Sequence, residues 1–506
     1  MRSCLPLILL MVTVLMGATD ETRADDRDKP AVASAAATQA KTPDAASESR
    51  GRLVIIGGGL RRENAAIFER LVHFAGGVDS ARFVVLPTAS NNDRGARNFR
   101  DNLARYGVPA ERCSILNVFV ANAATSTSDE TTLELVRRST GLFMTGGDQT
   151  RIVKALVKAD GAETPLLSEI RKLLARGGVI AGSSAGAAVQ SVPMISASGL
   201  PDEMLDEGFA ALDFGLTDNL ERPGLHVSKG LGFFTGGVID QHFHQYRGRL
   251  GRLARVTTQR GIPFGFGIDE NTALVVAGDG ACEVVGPGNV TLVDARRATC
   301  EDGALGCRVS GVRVSLLAQG DRWAPSRNEI VVHSAKRPIA VGKEASIGGF
   351  LIPDINGEGA APLALTAGLA DNSQVRQRAI ALKHHDGHSH GYRFTFSKTA
   401  DTRSLDGYVD GVFSYSVVNV ELKIEPIDGR LRSPEKSLPS DLVELPSGPT
   451  RTALEALWFR GILPVDDSGL LKPESPLTRT DLAKMLARSV HLLPPRVVTL
   501  PPDVDA

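Results

Sequence analysis

The stretch Gly178-Val179-Ile180-Ala181-Gly182-Ser183-Ser184-Ala185-Gly186-Ala187 decides how the rest of this chain is read. A short apolar run delivers Ser184 into a Gly-x-Ser-x-Gly turn, and small residues follow it. A strand that ends in a sharp turn before a helix exposes a hydroxyl, and flanking glycines let backbone and substrate approach where a Cβ would collide. Backbone N–H groups at the start of the new helix can stabilise an oxyanion. Ser184 is therefore the candidate nucleophile. For the pentapeptide alone an ordinary Gly-rich strand-to-helix turn is an equal reading, so the surrounding pattern has to decide.

Outward from this turn, short apolar runs alternate with helical patterns between Arg52 and about Val275. Leu53 to Ile56, Phe83 to Leu86, Leu142 to Thr145, Val179 to Ala181 and Val238 to Ile239 read as buried strands. Leu166, Leu167, Ile170, Leu173 and Leu174 fall on one face of a helix that stops at Gly177-Gly178. Strands alternating with helices predict a parallel sheet covered on both faces, with ligands beyond the carboxyl ends of the strands.

Three further strand ends carry polar or Gly-rich signals: Gly57-Gly58-Gly59, Thr145-Gly146-Gly147-Asp148-Gln149 and Asp240-Gln241-His242-Phe243. The first lacks the spacing of a dinucleotide-binding loop, so a second oxyanion donor or a tight turn is expected. Gly58 and Ala185 are the candidate oxyanion donors. A serine hydroxyl needs a base, and the base needs an acid to fix its tautomer. His242 is the expected base, with His244 in competition because it lies two residues on along a strand. The acid is sought between serine and histidine or beside them; Asp202, Glu203, Asp206 and Glu207 cluster in Pro201 to Gly208, and Asp202 or Glu203 is favoured.

Directly after His242 come Arg247, Arg249, Arg252, Arg255 and Arg260. Guanidinium groups bind carboxylates through a planar fork, so this cluster suits an acidic substrate; a solvated helix face paired with local acids is the alternative. The chain as a whole is nearly neutral, with 57 basic and 58 acidic side chains, which argues against a general nucleic-acid or membrane-surface binder.

The ends differ from the middle. Arg2 followed by the apolar run Leu5 to Met16 reads as a secretory signal over residues 1–24, so a secreted, extracellular or periplasmic location is expected. Residues 25–51 read as a disordered linker. In an oxidising compartment Cys300 and Cys307 are a candidate disulfide, although spacing leaves pairing among Cys113, Cys282, Cys300 and Cys307 open. The expected catalytic domain spans 52–320. Residues 327–425 read as a small antiparallel β domain, from alternating runs such as Glu329 to His333, Tyr392 to Phe396 and Tyr415 to Ile424. Within it, His384-His385-Asp386-Gly387-His388-Ser389-His390 is either a solvated turn or a transition-metal set. Residues 450–493 read as a helical hairpin with Thr478 as N-cap, and resemble one S-layer homology motif, a module type that binds cell-wall polymers.

Six motifs in order, "VIIGGG", "LPTAS", "FMTGGDQTRI", "GGVIAGSSAGAAV", "VIDQHFHQYRGRLGRL" and "GFGIDENTALVV", resemble the cyanophycinases, serine exopeptidases grouped with aspartyl dipeptidase. The resemblance covers about residues 52–275. It implies a flavodoxin-like fold related to class I glutamine amidotransferases and no metal or cofactor. It also implies a polymer with an aspartate backbone whose side-chain carboxylates carry arginine, cut to β-aspartyl-arginine dipeptides. On matching motifs Ser184 is the nucleophile and His242 the base. Gln149, Asp240, Gln241, Arg247, Arg249 and Arg252 form the substrate clamp. Gly182-Ser183-Ser184 replaces the usual Gly-Thr-Ser, and the span from His242 to the arginines is one residue longer. An aspartyl dipeptidase or other β-aspartyl hydrolase, and a non-catalytic cell-surface binding protein, are the competing expectations. A homodimer is a further open expectation.

Overall fold

The computed structural model of this 506-residue chain describes residues 51–198, 207–219, 221–339, 352, 354–371, 373–385 and 388–429. Its first five strands are β1 (Arg52–Ile56), β2 (Phe83–Leu86), β3 (Cys113–Ile115), β4 (Gly141–Met144) and β5 (Val179–Ser183). They pair in parallel in the order β1-β5-β4-β2-β3. Alternation along β1 explains the layering. Leu53 and Ile55 pack on one face with Leu166, Ile170 and Leu173 of the helix Pro165–Ala175. Val54 and Ile56 pack on the other, with Phe68 and Phe99 of the helices Ala65–Phe74 and Arg94–Ala104. A strand buried on both faces has to be apolar throughout, which is why these runs are continuous in sequence. The helix Pro165–Ala175 begins where the Thr164 hydroxyl caps the Leu167 N–H, with Pro165 at the first helical position.

The chain then adds a small sheet, β6 (Met194–Ser198), β7 (Leu216–Thr217) and β8 (Leu225–Ser228). Strands β9 (Val238–Gln241) and β10 (Phe264–Ile268) are parallel neighbours. Strands β11 (Ala273–Val276) and β12 (Cys282–Val285) run antiparallel on the β1 edge of the first sheet. Next come β13 (Val290–Asp294), β14 (Thr299–Gly303), β15 (Gly306–Leu317), β16 (Arg322–Ala324), β17 (Glu329–Val331) and β18 (Arg337–Pro338). The last are β19 (Arg376–His385), β20 (His388–Ser397), β21 (Arg403–Val409) and β22 (Val412–Gly429).

The fold is α/β with a mixed sheet and a further β-rich part, and it differs from expectation in two respects. Strand β9 belongs not to the first sheet but to a second, in the order β18-β21-β22-β15-β13-β10-β9. That sheet also crosses the boundary expected between 320 and 327. Val314 in β15 pairs with Val420 in β22, while β17, on the far side, joins the first sheet through β16. The second core explains the continuity: Val312, Val314, Phe394 and Leu422 pack with Leu250, Leu253 and Val256 of the helix Arg249–Gln259. Separating the two parts would expose that shared surface to water, at about 25 cal/mol per Å² of apolar area. Cys300 and Cys307 form a disulfide between β14 and β15, and Cys113 and Cys282 are buried free thiols. The helical hairpin expected at 450–493 lies outside the described residues, as do residues 1–50.

Candidate active site

Strand β5 ends at Ser183, and Ser184 turns the chain with φ 56° and ψ −114°, a backbone state that non-glycine residues rarely occupy. Such strain costs about 1–3 kcal/mol and persists only where its surroundings enforce it. Here the Ser184 N–H donates to the Ile56 carbonyl (3.0 Å), which ties the turn to the end of β1. The short buried helix Ala185–Ala188 follows. The glycines have a steric reason: a Cβ on Gly182 would overlap the Gly186 backbone, and one on Gly186 would overlap Met144. The helix can therefore lie against β4 and β5 only without side chains at these positions.

His242 reaches Ser184 from the second sheet. Strand β9 stops at Gln241, and His242 takes φ 47° while its N–H donates to the Gly57 carbonyl (2.6 Å). Its Nε2 lies 2.8 Å from Ser184 Oγ and its Nδ1 lies 2.6 Å from Glu270 Oε1. An ionised carboxylate only accepts, so Nδ1–H donates to Glu270 and Nε2 is left to accept the serine hydroxyl proton. The imidazole pKa lies below its ordinary value because burial disfavours the cation; the Glu270 hydrogen bond opposes this, and the Arg249 charge adds to it. At neutral pH the ring is thus in the neutral form that a base requires.

The turn Gly57-Gly58-Gly59 makes room for this pair. A Cβ on Gly58 (φ 113°) would overlap the His242 ring, and one on Gly59 would come within 2.7 Å of Glu270 Oε2. Among the described residues, the N–H groups of Gly58 and Ala185 donate to no backbone carbonyl. Gly146 also faces Ser184, since a Cβ there would lie 3.2 Å from Ser184 Cβ.

Asp202, Glu203 and Asp206 lie outside the described residues, and the carboxylate that meets His242 is Glu270. It was missed because the acidic cluster at 201–208 was favoured over acids beside the histidine. The available signal was Ile268-Asp269-Glu270-Asn271 at the end of an apolar run: β10 pairs in parallel with β9, Ile268 opposite Gln241, so the two strand ends emerge side by side. His244 does not share the rim. It is buried, with Nε2 2.8 Å from Thr291 Oγ1 of β13, because the turn at His242 breaks the strand alternation that would have kept both histidines on one side.

The expected substrate clamp divides. Gln241 stays at the site, its Oε1 3.5 Å from Ser184 Oγ. Gln149 donates from Nε2 to the carbonyls of Ile195 (2.8 Å) and Ser196 (2.9 Å), fastening β6. Asp240 is 1% exposed and forms a buried ionic cluster with Arg252, Nε to Oδ2 2.7 Å, and with Arg249 at 3.4 Å. This corrects the expectation for Asp240, Arg249 and Arg252, which are buried together as one ionic cluster inside the protein rather than displayed on the rim. Burial pushes Asp240 up and Arg252 down, each toward its neutral form, and Arg249 draws Asp240 back toward the carboxylate. Arg247 pairs with Asp354 (2.9 Å). Tyr246, exposed, lies edge-on to the His242 ring with centroids 5.1 Å apart. In the histidine-rich segment, His385 of β19 stands opposite His388 of β20 in the backbone register, and His390 Nε2 lies 2.7 Å from Asp213 Oδ1.

Fold and site together define an α/β protein with a serine, a histidine and a glutamate hydrogen-bonded in series where strand ends of its two larger sheets meet. Residues 53–284 match Peptidase family S51. The chain is 31% identical over 292 residues to cyanophycinase from Nostoc sp., covering 56% of this chain and 87% of that protein. It is 31% identical over 289 residues to cyanophycinase from Geminocystis herdmanii, covering 54% and 93%. A crystal structure of a peptidase from an acI-B1 Actinobacterium is similar over 49% of this chain and 91% of that one, at 21% identity and a TM-score of 0.36. The chain belongs to peptidase family S51 and is a peptidase of that family.

Proposed function

We propose that this peptidase is a serine-type exopeptidase that hydrolyses cyanophycin to β-aspartyl-arginine dipeptides through an acyl-enzyme. The row Ser184–His242–Glu270 carries the proposal. His242 Nε2 takes the Ser184 proton as Oγ attacks the substrate carbonyl, and Glu270 stabilises the imidazolium that forms. The N–H groups of Gly58 and Ala185 receive the developing oxyanion. Collapse of the tetrahedral species expels the amine, which takes its proton from His242. Water activated by the same histidine then cleaves the ester. The relatives named cyanophycinase support the polymer as substrate. Residues 1–24, read as a secretory signal, and the Cys300–Cys307 disulfide support export to an oxidising compartment.

The test is to incubate the purified protein and its Ser184→Ala variant with insoluble cyanophycin and to look for β-aspartyl-arginine in the supernatant. Release by the wild type alone supports both substrate and nucleophile. No release from folded wild type overturns the polymer assignment, and hydrolysis of short β-aspartyl peptides would then take its place.

A further inference from the structure

A cleft of about 910 Å³ is lined at one end by Asn271, the residue that follows the acid of the catalytic row. Arg61, Glu69, His73 and Asn271 line it on the side that matches the peptidase family, and Gln319 and Asp410 line it from the β-rich part. It begins next to the site: Asn271 follows Glu270, and Arg61 lies two residues beyond Gly59, which faces the Glu270 carboxylate. Asn271 fastens this end, taking the Arg61 N–H at Oδ1 (3.0 Å) and giving its own N–H to the Gly58 carbonyl (2.7 Å). The volume lies in the range of sites that enclose a small ligand, about 300–1,000 Å³.

Its charges are of both signs. Among the described residues Arg61, Glu69 and His73 take part in no salt bridge, whereas Arg70 and Glu63, also at the cleft, are paired with Glu283 (3.0 Å) and Arg62 (2.5 Å). The far wall is rigidly placed. Gln319 accepts the Gly286 N–H (2.7 Å) and donates to Asp410 (3.0 Å), so the β21–β22 turn is tied through Gln319 to the turn that follows β12. Beside Asp410 the cross-strand neighbours Tyr408 and Phe413 stand 68% and 46% exposed, ring centroids 5.2 Å apart. Exposed aromatic faces next to a carboxylate are a combination that stacks and pairs a guanidinium.

We propose that this cleft and hairpin tip form an extended subsite that holds further repeat units of the polymer while its end is cut at Ser184. The proposal rests on the substrate reading above. In that polymer each arginine is attached through its α-amine, so every unit keeps a free α-carboxylate and a free guanidinium. A zwitterionic repeat matches a cleft that offers Arg61 and His73 to one group, and Glu69, Asp410 and the two rings to the other.

The test compares wild type with Glu69→Gln/Asp410→Asn and with Tyr408→Ala/Phe413→Ala. Asparagine keeps an acceptor for Gln319 and tolerates the positive φ at position 410. Each is assayed on insoluble polymer and on a synthetic peptide of two aspartyl-arginine units; polymer cosedimentation is measured separately in a Ser184→Ala background. The expected result is a half-saturating polymer amount raised roughly tenfold and a matching loss of cosedimentation, with two-unit turnover unchanged. Variants that bind and cut polymer like wild type overturn the subsite, as do variants that lose both substrates alike. If wild type releases dipeptide and the variants match it, only the subsite falls; if wild type releases none, the substrate reading falls and takes the subsite with it.

Discussion

The segment from Asp240 to Arg252 is divided between two environments. His242 stands at an open rim, in contact with Ser184 and Glu270, while Asp240, Arg249 and Arg252 are sealed below it as a buried ionic cluster. In an extended strand Asp240 and His242 would face the same side; the positive φ at His242 sends them apart. Charge close to a candidate catalytic residue in sequence therefore says little about which groups meet a substrate. In one environment polar groups are held ready for transfer of a proton, and in the other they hold the helix Arg249–Gln259 against β9. Substitutions in the two environments should fail in different ways.

Ser184→Ala should have the largest effect, lowering kcat by about a millionfold with the melting temperature preserved, as expected when a nucleophile is lost from a unit that acts together. A smaller loss in purified protein would mean that another group carries the reaction. Glu270→Gln should lower kcat by about 10⁴-fold, because the amide no longer fixes the productive tautomer. The Glu270 hydrogen bond raises the His242 pKa, so its removal lets burial lower that pKa further. The acid limb of kcat/KM, already below the ordinary histidine value of 6.5 in wild type, should move to still lower pH in the variant. An unmoved limb would separate Glu270 from His242.

Asp240→Ala should act through stability, with a loss of about 3–5 kcal/mol in urea unfolding, since it removes a buried carboxylate that two buried guanidinium groups contact. Turnover per folded molecule should stay within a few fold. Lost activity in a fully stable variant would merge the two environments and restore Asp240 to the substrate clamp. Arg247→Ala should have the least effect, because its pair with Asp354 is largely solvent-exposed; a stability change of about 1 kcal/mol or less is expected.

The legible parts of the chain were those with a local cause. The strands β1, β2, β4 and β5 and the helix Pro165–Ala175 appear close to where apolar runs and capping residues put them. Ser184 sits in a strained strand-to-helix turn of the kind its Gly-x-Ser-x-Gly setting suggests. Glu270 was hidden because its proximity to His242 depends on β9 and β10 lying side by side, with a whole helix between them in sequence. The shared sheet of the two halves was hidden for the same reason, since β15 and β22 are joined by long-range pairing.

By itself, then, the sequence determined the alternation of strands and helices, the exposed serine and a histidine at a neighbouring strand end, because periodicity and turn sterics act over a few residues. The tertiary structure alone decided which acid meets that histidine and which arginines are buried inside. It also decided that the β-rich part shares a core with the peptidase part. Those outcomes are set by strand register and burial between segments far apart in the chain, and no local pattern encodes them.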